Sequence, residues 1–104
     1  MDSIKDKYID LRVDVTKAVL KFCEDHNYPN GGLITVRECL EALNRRDVQA
    51  AIEVYKSIPL GGRMGYFDDW LPAVRFGGET PEYLRVVFVS LLNEWDRVMN
   101  LPVE

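Results

Sequence analysis

The sequence predicts an all-α protein, a compact bundle of about four helices with a long ordered glycine- and aromatic-rich loop before the C-terminal helix. Three observations carry this. Apolar residues recur at three- and four-residue steps through most of the chain, which is the period of an amphipathic helix. Helix-start signals precede the apolar runs at Thr35, Asp47 and Thr80. One stretch, PLGGRMGYFDDWLPAVRFGG at 59–78, sets bulky apolar residues among glycines and prolines that no regular element would keep. With 104 residues and 47% hydrophobic content, one domain with one core should bury roughly 60 to 70% of its extended-chain surface. The sequence contains no internal repeats or low-complexity segments.

The first helix is expected over about 3–25, where Ile4, Tyr8, Leu11, Val15, Ala18, Val19 and Phe22 share one face. It should stop in HNYPNGG, because Pro29 disfavours helix at Tyr28 and Asn30, Gly31 and Gly32 supply turn chemistry. A second helix is expected from Thr35, whose hydroxyl can cap the first turn while Glu38 returns a hydrogen bond to the cap amide. Leu40 and Leu43 then face inward. After a turn at 44–47, Asp47 can cap a third helix with Val48, Ala51, Ile52 and Tyr55 as its apolar stripe, ended by Pro59.

The loop at 59–78 has Met64, Tyr66, Phe67, Trp70, Leu71, Val74 and Phe76, which is the wrong composition for disorder. It reads as ordered and packed. The last helix has the clearest start, with Thr80 as cap, Pro81 where its missing N–H costs nothing, and Glu82 at the positive dipole end. Its β-branched run at 86–89 could be a strand, but Leu84, Val87, Phe88, Leu91, Leu92, Trp95, Val98 and Met99 hold helical spacing far beyond strand length. A helix so apolar around its circumference is expected at the centre, with the others packed about it.

Composition narrows the chemistry. A net charge of −4 and a pI near 5.0 disfavour nucleic acid and anionic membrane surfaces and favour a neutral or basic partner. No apolar run approaches a membrane span, and MDSIKDKYID is not a secretory signal, so a cytoplasmic location is expected. Cys23 and Cys39 read as buried free thiols. Cys23 and His26 lack the companions a closed zinc site needs, so no metal and no other cofactor is expected. His26 reads as a capping or solvated residue, since no nucleophile accompanies it in a recognisable motif. Asp2, Asp6, Asp10 and Asp14 form a four-residue ladder that could receive a basic partner, but Lys5, Lys7, Arg12 and Lys17 can offset its repulsion, so a solvated face is the favoured reading. Gly61, Gly62 and Gly65 do not make a phosphate loop, and the helix pair 35–57 is too acidic for a DNA-reading helix-turn-helix. Asp68 and Asp69 could divide acid and base work as a small hydrolase would, but neighbouring side chains point in different directions.

IPLGGRMGYFDDW, preceded by DVQAAIEVYKS and followed by a helix ending EWDRVM, resembles a loop of small bacterial proteins built on glycine, glycine, methionine, glycine, aromatic and aspartate. Some of those proteins look like immunity proteins of interbacterial toxin systems. The matching positions are Gly61, Gly62, Met64, Gly65, Phe67, Asp68 and Trp70, across about 47–99, with Arg63 as a variation within the pattern. The resemblance implies a small cytoplasmic protein that is not an enzyme. Aromatic, methionine and arginine side chains make binding hot spots, so Arg63, Met64, Tyr66, Phe67, Asp68, Asp69 and Trp70 are the expected partner-binding residues, with a cognate toxin as one form of partner. The competing reading is structural: the loop folds back to complete the core, or serves homodimer formation.

Overall fold

Ile9, Arg12, Thr16, Val19, Cys23 and His26 recur at steps of three and four along the first helix, and all six are buried. That stripe defines the inner face of α1 (Ile4–Asp25) in the computed structural model, which describes residues 4–26, 30–57 and 74–102. The remaining helices are α2 (Asn30–Asn44), α3 (Val48–Ser57) and α4 (Pro81–Met99), and no strand occurs among the described residues. Among the described residues the fold is an all-α bundle of four helices.

The stripe expected on α1 is rotated from the one observed. Leu11 and Ala18 are exposed and Tyr8 and Val15 only half-buried, while Arg12, assigned above to the solvated face, is fully buried. The reason is that three polar residues lie on the inner line, each bonded to a partner across the seam with α4. Arg12 donates to the carbonyls of Leu101 at 2.6 Å and Pro102 at 3.4 Å. Trp95 donates its indole N–H to the Thr16 hydroxyl at 2.9 Å. His26 lies 3.0 Å from Glu79. The start of α1 therefore meets the end of α4 and its end meets the start of α4, so the two helices run antiparallel. Phe22 stacks on Phe88 within the same seam, with ring centroids 5.7 Å apart.

α2 begins at Asn30, more than a turn before the cap expected at Thr35. Thr35 and Glu38 lie inside the helix, and Gly31 and Gly32 occupy its first turn. A helical glycine costs about 1 kcal/mol relative to alanine. Burial of Leu33 and Val36 offsets that, at about 1.5–3 kcal/mol for a full apolar side chain. The end of α2 is a Schellman motif: Asp47 N–H donates to Ala42 C=O and Arg46 N–H to Leu43 C=O, both at 2.9 Å, with Arg46 at φ 63°. Asp47 then caps α3 as expected, its carboxylate accepting from Ala50 N–H at 3.2 Å. Cys39 donates its thiol to the Ala51 carbonyl, closing the α2–α3 hairpin.

The core joins all four helices: Val19, Phe22 and Cys23 from α1, Val36, Cys39 and Leu43 from α2, Ala51 and Tyr55 from α3, and Leu84, Phe88, Leu92 and Trp95 from α4. The expectation that α4 sits at the centre is corrected. α1 packs against both α2 and α4, and α2 against both α1 and α3, so these two helices form the middle and α4 and α3 flank them. α4 keeps its inner line of Leu84, Phe88, Leu92, Trp95, Val98 and Met99, but Leu91 is only partly buried and Tyr83 and Val86 face solvent.

Candidate functional site

Arg63, Met64, Tyr66, Phe67, Asp68, Asp69 and Trp70 lie outside the described residues, as does Gly65. What the structure defines is the exit of the loop, 74–80, and the first turns of α4. Of the apolar residues expected to pack in the loop, Val74 and Phe76 are exposed, at 48% and 54%. Thr80 caps α4 as predicted, accepting from Tyr83 N–H at 3.1 Å, with Pro81 in the first turn and Glu82 beside the helix dipole. Gly78 takes φ 86°, where a side chain would strain the backbone, so the exit turn depends on it.

Glu79 organises this exit. One carboxylate oxygen accepts the N–H groups of Arg75 and Phe76, both at 3.1 Å, while Glu79 N–H donates to Phe76 C=O at 3.3 Å. The other oxygen meets His26 Nε2 at 3.0 Å. His26 Nδ1 lies 2.8 Å from the Phe22 carbonyl, its ring stacks on Phe22 at 4.3 Å, and Phe76 contacts it edge-on at 5.7 Å. The hydrogen bond from His26, followed by those from the two amides, holds the Glu79 carboxyl below its ordinary value of 4.5 against a desolvation that pushes it up. A depressed carboxyl stabilises the fold above that ordinary value and loses its contribution as pH falls through the folded-state one.

His26 is therefore neither a simple cap nor solvated, as the sequence suggested. It is buried and engaged at both nitrogens, so it joins α1 to the loop exit rather than presenting a free lone pair. Its place three residues after Cys23 on the line Val19, Cys23, His26 is the signal that pointed inward. Glu79, 53 residues away, has no such signal. Among the described residues, no three histidine, cysteine, aspartate or glutamate side chains cluster as metal ligands. Burial pushes the Cys23 and Cys39 thiols up to about 12, which keeps both protonated and weakly nucleophilic. On the acidic ladder of α1, Asp10 pairs with Arg46 at 3.0 Å and Asp14 is exposed.

The exposed large apolar side chains among the described residues are Leu11, Ile34, Val74, Phe76, Tyr83 and Val86. Four of these six fall within 74–86, on the loop exit and the outer face of the first turns of α4. Comparison of the chain with family models, curated proteins and solved structures finds no match.

Proposed function

We propose that the chain is a protein-binding module, not an enzyme, whose contact surface is formed by the 59–78 loop, its exit and the first turns of α4. The observation that carries the reading is the exposure of Val74, Phe76, Tyr83 and Val86, which follow closely in sequence on Arg63, Met64, Tyr66, Phe67 and Trp70. Scattered single apolar residues are ordinary on a protein surface, whereas several together mark interaction sites. Aromatic, methionine and arginine residues are those that dominate binding energy. The net charge of −4 favours a neutral or basic protein partner over nucleic acid or an anionic membrane surface. Masking a toxin, as an immunity protein does, is the specific form of this reading that the loop's resemblance supports.

The test is capture of partners from the native cell, followed by titration of each with wild type, Arg63→Ala/Tyr66→Ala and Tyr83→Ser/Val86→Ser. Sedimentation of the same proteins reads self-association. Because Tyr83 and Val86 are exposed, their replacement should change stability by less than about 0.5 kcal/mol. Each hot-spot loss should weaken a heterologous partner by about 1 kcal/mol or more. Equal binding by wild type and both variants would remove the proposal. A dimer broken by the variants, with no captured partner, would transfer the surface to self-association.

A further inference from the structure

His26 sits between two groups that can only accept hydrogen bonds, the Phe22 carbonyl at 2.8 Å from Nδ1 and the Glu79 carboxylate at 3.0 Å from Nε2. A neutral imidazole carries one N–H, so it satisfies one of them; an imidazolium carries two and satisfies both. We propose that His26 is a protonation-dependent clasp, which as an imidazolium holds the exit of the loop onto the end of α1 and as a neutral ring releases it.

The clasp turns on which proton leaves. The carbonyl of Phe22 belongs to the helix backbone one turn before His26, where it also accepts the His26 backbone N–H at 3.1 Å, and it cannot turn away from Nδ1; the clasp requires Nδ1 to keep its hydrogen in both protonation states. The proton that leaves is the one on Nε2, facing Glu79. Its loss puts a nitrogen lone pair against a carboxylate oxygen at hydrogen-bond distance. The side chains of both residues are largely buried, at 6% and 14% exposure, so water can do little to screen that opposition. What Glu79 holds then follows it. The Arg75 and Phe76 amides and the Phe76 carbonyl close a small turn on Glu79, and the Phe76 ring rests edge-on against His26. Among the described residues, the hydrogen bond tying this turn to α1 is the one from His26.

The surrounding charges do not compete for the ring. On α1, Asp25 is paired with Lys21 and Glu24 with Arg37 of α2. On the loop exit the Arg75 side chain is exposed, and Glu82 in the first turn of α4 and Arg85 one turn on are exposed as well. Glu79 is the carboxylate in contact. The clasp stands independently of what the loop binds, so its failure and the failure of the binding surface are separate results.

His26 is the only histidine, which makes its ring nitrogens directly readable by 15N NMR on the full chain. Across a pH titration the ring, on losing its proton, should pass from imidazolium to the Nδ1–H tautomer. Over the same range, protection of the Arg75 and Phe76 amides against hydrogen exchange, corrected for intrinsic rates, should fall about tenfold or more. Glu79→Gln is the diagnostic variant. Its side-chain amide can accept from the two backbone N–H groups and donate to a neutral Nε2, so the protection should lose its pH dependence. Flat protection in the wild type, or the same slope in Glu79→Gln, would overturn the clasp. An Nε2–H tautomer for the neutral ring would overturn it too, and that measurement needs no variant.

Discussion

Thr16 and Trp95 show how much a single hydroxyl can carry. Trp95 is fully buried, and its indole N–H has Thr16 as hydrogen-bond acceptor across the seam. Thr16→Val keeps the shape of the side chain and strands that donor, which should cost about 1–3 kcal/mol. Thr16→Ser keeps the hydroxyl and should lose less, so the difference between the two in chemical denaturation isolates the hydrogen bond. Arg12 is a sharper case of the same kind. It is fully buried, its Nε has no hydrogen-bond partner, and the partners found for its guanidinium are the backbone carbonyls of Leu101 and Pro102. An apolar stripe does not reveal such residues, because threonine and arginine are mostly exposed and histidine is intermediate.

Helix ends were more legible than helix faces. Asp47 and Thr80 cap α3 and α4 where their side chains and the following residues suggested, because a cap is a local hydrogen bond that needs no knowledge of the rest of the chain. The start of α2 was misplaced because the reward for extending it through Gly31 and Gly32 comes from burial of Leu33 and Val36, which depends on α1 and is invisible locally. The end of α2 offers a test at this scale. Arg46 occupies the left-handed position of the Schellman motif, where glycine is preferred. Both Arg46→Gly and Arg46→Ala remove the exposed ion pair with Asp10, so their difference reports the backbone alone. The glycine variant should be more stable by about 1 kcal/mol.

For the molecule as a whole, Cys23 and Cys39 lie in the single core that all four helices share. Both thiols are buried and pushed up to about 12, so alkylation at mildly alkaline pH should wait for opening of that core. The two should label together, at a rate that follows global unfolding; rapid labelling of one in the native protein would show that α1 or α2 opens alone. The bundle itself was legible from periodicity, and the arrangement of its helices was not. Periodicity says that a face is buried but not against what. Periodicity cannot show the seam between α1 and α4, whose polar bonds join His26, Thr16 and Arg12 to partners 53 to 89 residues away.

Those separations bear on the order in which the chain can fold. The α2–α3 hairpin closes over a few residues, whereas the seam between α1 and α4 waits for the last helix to be made. Until then the inner face of α1 is open to the cell during synthesis, when exposed apolar surface invites aggregation. Arg12, Thr16 and His26 interrupt that face, so the waiting helix offers water a broken strip instead of a continuous greasy one. The residues that set the register of the finished bundle thus also lower the apolar exposure of its unfinished form.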